Sequence, residues 1–317
     1  MILNAEVIIM STYQEPLVWI DEAVSSIQNQ TYQNFEFIIV VDDPDYKQLV
    51  GYILRKKKED NRIIVHINER NKGLTESLNI AVKMAKGTYI ARMDADDIAA
   101  PDRLECELDY LILNHLDLVG CNVRNIDEDG NVINHTGTKY PASDQIIKRY
   151  LKTNSAVVHP TWLVRKEVYN EMDMYRDFPA CEDYEFLTRI ALAGYRIGNV
   201  REVKQMYRIN GKGISSTKKV MQKTSHYFVK CNYNAGRQSS LDEFYKFLNS
   251  DEGKKKQAGL VRYYEQSDKL KECYRNKQWG KLVTMGFGVF MRSKEGRTVI
   301  TSTLMEKFLR IRYRKTY

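Results

Sequence analysis

Short apolar runs alternate with amphipathic helical patterns through the first part of the chain. Residues 6–10 (EVIIM) read as a buried strand. Pro16 opens a helix to about Gln30, with Leu17, Ile20, Val24 and Ile27 on one face. Residues 35–41 (FEFIIVV) are a second strand, followed by a charged helix over residues 45–58. Residues 62–67 (RIIVHI) are a third. Leu74, Leu78, Ala81, Val82 and Ala85 then recur at helical spacing, with Gly87 as the stop. Residues 88–93 (TYIARM) are a fourth strand. This alternation predicts right-handed crossovers and a largely parallel sheet covered on both faces. Ligands bind such sheets beyond the carboxyl ends of the strands. Polar residues gather at those ends: Ser11 and Thr12, Asp42 and Asp43, Asn68 to Asn71, and Asp94 to Asp97.

Further along, residues 102–114 are helical. Residues 118–123 and 131–137 flank the turn residues DEDG, which predicts a hairpin. Ser143 is placed to cap a helix over residues 143–152. The segment CEDYEFLTRIALAGY carries Leu187, Ile190, Ala191 and Gly194 on one helical side, and a last strand falls near residues 203–209. No internal repeat appears.

Composition adds an asymmetry. The 317 residues are 43% hydrophobic, enough for a sizeable core, and carry a net charge of +8. Residues 211–317 hold 24 Lys+Arg against nine Asp+Glu, a surplus of +15, which leaves residues 1–210 at −7. An acidic domain therefore precedes a basic one, and the two meet different partners. Lysines 56–58 and 254–256 read as solvated helix faces. The five cysteines are scattered without CxxC spacing, which fits a reducing compartment better than a disulfide framework or a zinc site. The N-terminus has no basic segment leading into a long apolar one, and the longest apolar run, residues 282–291, is too short to span a bilayer. The expectation is a cytoplasmic protein.

The chemistry concentrates in RMDADDIAAPDR. Alternation in an extended turn points Asp94 and Asp96 the same way, an arrangement suited to a hard divalent cation, Mn²⁺ or Mg²⁺, that grips a nucleotide diphosphate. A helix cap is the competing explanation, but one aspartate suffices for a cap. Glu182 and Asp183 open the later helix, where acids complement the positive dipole end or where one of them serves as a general base.

Taken in order, STYQEP, QNQTYQNFEFIIVVDD, NKGL, GTYIARMDADD with PDRL, HPTW and EDYEFLTRIA resemble family 2 glycosyltransferases of bacterial capsule, O-antigen and exopolysaccharide type, over residues 6–216. The resemblance implies an α/β GT-A fold, Rossmann-like with a mainly parallel central sheet, in residues 1–216. A basic, mainly helical region follows in residues 217–317. It implies inverting, metal-dependent transfer of a hexose-type sugar from a nucleotide sugar, UDP-linked, to a cell-surface polysaccharide or a polyprenyl-linked glycan precursor. By matching position, Thr12, Glu15, Asp43, Asn71, Gly73 and Asp94 would bind the nucleotide sugar and Asp96 the metal. Asp183 would be the catalytic base, with Glu182, His159 and Trp162 on the acceptor or donor-sugar side. Two departures stand out. Pro44 replaces the usual DDGS turn with DDPDY, and Asn210 stands where many members place a histidine. Lys212, Ser215 and Ser216 are then candidates for the diphosphate. The basic tail, with Tyr227, Phe228, Tyr263, Tyr264, Trp279, Phe287 and Phe290, suits either an anionic membrane surface or a small helical core. A nucleotidyltransferase lacks its Gly-rich loop here. A metal enzyme on nucleic acid is disfavoured by the acidic half, so no nucleic-acid partner is expected.

Overall fold

A computed structural model describes residues 6–133, 139–211, 217–278 and 297. The first half follows the expected alternation: β1 (Glu6–Thr12), α1 (Leu17–Gln28), β2 (Phe35–Val41), α2 (Lys47–Glu59), β3 (Ile63–Ile67), α3 (Leu74–Met84) and β4 (Tyr89–Asp94). β1 pairs in parallel with β2 on one side and β4 on the other, and β2 with β3. Successive strand residues feed two cores. Val7, Ile9, Ile38 and Val40 pack on the α3 side with Leu78, Ala81 and Val82. Ile8, Met10, Phe37 and Ile39 pack on the other side with Ile20, Val24 and Ile27 of α1. Burial on both faces explains why these strands are continuous apolar runs.

The second half is more irregular. It contains β5 (Ile98–Ala99), α4 (Arg103–Leu113), β6 (Leu118–Ile126), α5 (Asp144–Tyr150), a 3₁₀ turn (His159–Thr161), β7 (Leu163–Arg165), α6 (Lys166–Glu171), α7 (Glu182–Leu192) and β8 (Ile197–Arg208). The sheet order is β3-β2-β1-β4-β7-β6-β8-β5. β7 runs antiparallel between β4 and β6, while β6 and β8 are parallel. The mainly parallel α/β expectation holds.

Two local expectations change. α3 stops at Met84 because Ala85 is already extended (φ −58°, ψ 133°), so Gly87 does not end it. The hairpin across DEDG reduces to one bridge, Ile126 to Val132, because β6 pairs instead with the distant β8. Residues 134–138 of that segment lie outside the described residues. Ser143 stands at the N-cap of α5 with extended backbone, but its hydroxyl makes no capping bond.

Three helices close the described chain: α8 (Lys219–Asn234), α9 (Leu241–Asn249) and α10 (Asp251–Arg275). Val229, Tyr233 and Phe244 belong to the same core as α7 and β4. Phe228 packs against Phe244 and Phe247 at 5.4 and 5.3 Å between ring centroids. These aromatics of the basic region are therefore core, while Trp279, Phe287 and Phe290 lie outside the described residues. Among the described residues, no helix is long and apolar enough to cross a membrane.

Candidate active site

The carboxyl ends of β1, β2 and β4 open into one cleft of about 930 Å³, closed on the far side by the end of β8 and the starts of α7 and α8. Glu15, Asn71, Gly73, Asp94, Asp96, His159, Glu182 and Asp183 all line it. The fold thus gathers acids separated by more than a hundred residues of chain.

On the nucleotide side, Glu15 Oε2 accepts from the Thr12 hydroxyl and from the Tyr13 amide, each at 2.8 Å. Thr12 is buried behind this loop and acts by shaping it. Asp43 accepts from Gln14 Nε2 at 2.8 Å, and that bond holds its carboxyl below the ordinary range. The turn after β3 is organised by Asp42, whose oxygens accept from Asn68 Nδ2 (2.6 Å), Lys72 N (2.8 Å) and Gly73 N (2.9 Å). Gly73 has φ +85°, a left-handed conformation that favours glycine. Its amide also donates to Asn71 Oδ1 at 3.0 Å.

The three crowded aspartates separate by role. Asp94 pairs with the buried Arg92 guanidinium. Asp96 Oδ2 accepts from Asn210 Nδ2 at 2.8 Å. Asp97 turns inward, fully buried, and accepts from Gln205 Nε2 (2.6 Å) and from the Arg208 amide (2.8 Å), which ties the acid turn to β8. Burial pushes Asp96 up to about 7, and the neighbouring charges of Asp94 and Glu15 push the same way. Among the described residues, no three His, Cys, Asp or Glu side chains form a ready-made cage. The donor set still fits a hard divalent cation. Two carboxylates share one wall, and a bound diphosphate supplies further oxygens. A cation there would also relieve the like-charge crowding. Lys212, Ser215 and Ser216 lie outside the described residues.

Across the cleft, α7 begins with Glu182 and Asp183. Burial raises both carboxyls, Glu182 to about 8, with Asp183 adding to the rise in Glu182. The Tyr184 amide donates to Asp183 Oδ1 at 2.6 Å and favours its ionised form. Glu185, one position past Tyr184, faces the core instead and takes both Nε (3.0 Å) and Nη2 (2.8 Å) of Arg189. His159 meets the Tyr175 hydroxyl through Nε2 at 2.9 Å, and burial, then Arg92, holds its pKa well below the usual value, so the ring is neutral. Trp162 does not reach the cleft. It is fully buried beneath the wall, edge-on to His159 at 4.7 Å, and backs that ring.

The sequence reading set Asp42 at a strand end without giving it a role, and it missed Arg92, Tyr207 and Arg208 at this cleft. Arg92 carried a signal, since a cation in a buried central strand needs a partner and Asp94 lies two residues on. Tyr207 carried none. Burial raises the pKa of its phenol strongly, and the charges of Asp94, Asp97, Asp96 and Asp183 add to that rise.

This layout, a parallel half-sheet whose strand ends carry a nucleotide-side loop and an acid turn opposite a second acidic helix start, is that of a GT-A transferase. Residues 7–173 match the model for glycosyl transferase family 2, and the chain belongs to that family. An uncharacterised glycosyltransferase of Methanocaldococcus jannaschii is 36% identical over 224 residues, 70% of this chain and 77% of the relative. The O-antigen biosynthesis glycosyltransferase WbnJ of Escherichia coli is 34% identical, covering 61% of this chain and 76% of the relative. Among solved structures, the mannosyltransferase PcManGT of Pyrobaculum calidifontis in complex with GDP-Man and Mn²⁺ superposes with a TM-score of 0.59 at 16% identity, over 94% of this chain and 83% of that one. S. aureus TarS in complex with UDP-GlcNAc gives 0.57 at 20% identity, over 79% and 69%.

Proposed function

We propose that the chain transfers a hexose-type sugar, with inversion, from a UDP-linked nucleotide sugar to a hydroxyl of a polysaccharide or lipid-linked oligosaccharide precursor. The observation that carries this reading is the meeting of three acids in one cleft: Asp94 and Asp96 from the turn after β4, and Asp183 from the start of α7. The O-antigen role of the E. coli relative and the nucleotide sugars held by the structural neighbours support it. Glu15, Asp43, Asn71 and Gly73 would hold the nucleotide, with Thr12 shaping the loop. Asp96, with Asp94, would hold Mn²⁺ or Mg²⁺, whose charge offsets that of the diphosphate.

Asp183 takes the proton of the acceptor hydroxyl as the oxygen forms its bond to the anomeric carbon. The bond from that carbon to the phosphate oxygen breaks on the opposite face, and UDP leaves with the electron pair. Glu182 and neutral His159 orient the sugars beside that centre, and Trp162 supports His159. The basic helical region would rest on the anionic inner face of the plasma membrane, where lipid-linked acceptors reside.

The test is transfer or slow hydrolysis of a panel of UDP-sugars with Mn²⁺. Asp183→Asn should lower turnover by about 10²–10⁴-fold with donor affinity little changed. Wild-type turnover in that variant removes the base assignment. Asp96→Ala should remove the Mn²⁺-dependent part of UDP binding, and an unchanged Mn²⁺ effect removes the ligand assignment.

A further inference from the structure

Arg208 ends β8 where three segments meet at the rim of the cleft, and its side chain is buried. Its Nε donates to the main-chain oxygen of Asp96 at 2.7 Å. Nη1 donates to the carbonyls of Asp127 at 3.0 Å and Glu128 at 3.2 Å. Nη2 donates to Glu22 Oε2 of α1 at 2.6 Å. The guanidinium carbon lies 5.1 Å from the centroid of the Trp19 ring, and the Trp19 indole N–H donates to the same Glu128 carbonyl at 3.0 Å. The same end of β8 and the residues just past it act on that turn too, through the Arg208 amide on Asp97 and the Asn210 side chain on Asp96. One side chain therefore ties α1, the acid turn after β4 and the turn after β6 into one unit.

The division of labour within the guanidinium is informative. Its charge is met by Glu22, which does not line the cleft, so a ligand phosphate is not its partner. What it gives the acid turn is a hydrogen bond to the Asp96 main chain, which fixes orientation. We propose that Arg208 is the positioning residue that aims the Asp96 carboxylate for cation-dependent binding of the donor diphosphate. The inference rests on Asp96 being the cation ligand. Lysine cannot substitute, because one ammonium on a flexible stem does not reach three directions at fixed angles.

Calorimetry of UDP binding to the full chain, with and without Mn²⁺, tests this. Supports of a metal ligand are worth about 10–100-fold in affinity, so Arg208→Lys should lose that much of the Mn²⁺-dependent affinity. Metal-free UDP affinity should change little, while Tm falls, because lysine leaves some of the acceptors around the buried guanidinium unpaired. Glu22→Ala, on a half-exposed side chain of α1, frees one arm of the guanidinium and should give a smaller loss in the same direction. Asp96→Ala is the control, and a full Mn²⁺ effect in that variant overturns the ligand reading itself. If Asp96→Ala loses the effect while folded Arg208→Lys keeps it, Arg208 is not the positioning residue. Should Arg208→Lys not fold, an undiminished Mn²⁺ effect in Glu22→Ala overturns the proposal equally. A loss of the same size with and without Mn²⁺ also overturns it, since that marks a general scaffold role.

Discussion

Glu182 and Asp183 are neighbours on one helix end, yet their surroundings push them apart. Burial raises both, but Asp183 keeps the Tyr184 amide on its carboxylate and Glu182 is pushed to about 8. Of the two, Glu182 is the one that holds its proton through neutral pH, while the Tyr184 amide favours the ionised form of Asp183, which is the direction a base needs. The sign follows. With Asp183 as the proposed base, turnover should rise with pH as Asp183 loses its proton and fall near pH 8 as Glu182 ionises beside the donor phosphates. Glu182→Gln is neutral at every pH, so its kcat/KM profile should keep the acid limb and lose the alkaline one. A profile with the same alkaline limb would show that another group sets it. At this scale the acids were legible because crowded carboxylates need a reason. Thr12 and Trp162 were not resolved, because a motif such as HPTW does not say which side chain forms a wall and which stands behind it.

The elements legible in the sequence were those with local patterns. β1 to β4 and α1 to α3 emerged within a few residues because each carries its own apolar period. The three-residue β7 and the pairing of β6 with β8 depend on partners far along the chain, and a turn signal at DEDG suggested a nearer one. Close packing was equally invisible. Gly120 lies in β6 against the segment that holds His159, and a Cβ there would stand 2.4 Å from Val157 Cγ1 and 2.7 Å from Thr161 Oγ1. The Thr161 hydroxyl also accepts from the Cys121 amide at 3.2 Å, so it is not free to retreat. Gly120→Ala should therefore cost about 1–3 kcal/mol through overpacking. Urea unfolding should show a lower midpoint with an unchanged slope. An unchanged midpoint would mean that the 157–161 segment yields at no cost.

Over the whole molecule, charge and core divide differently. The core is continuous across the boundary near residue 216, since Val229, Tyr233 and Phe244 pack with α7. Charge is not: −7 in residues 1–210 and +15 in residues 211–317. The described helices of residues 217–278 share the core of the acidic body, so on an anionic surface their positive charge would be attracted while the acidic body is repelled, and the body would be oriented. The described lysines fit this division. Lys254 and Lys255 of α10 are exposed, while Lys256 rests over the Tyr227 ring at 4.4 Å. Each basic residue near an anionic bilayer is worth about 1 kcal/mol, so Lys254→Gln with Lys255→Gln should weaken binding to anionic vesicles by about thirtyfold. Co-sedimentation of the full chain should be strong with phosphatidylglycerol-containing vesicles at low salt. It should decline as salt shortens the screening length to roughly 10 Å at 0.1 M, and be weak with neutral vesicles. Equal binding to neutral and anionic vesicles would assign the association to apolar insertion, and no binding at low salt would leave the positive surplus as a solvated face of the helical core.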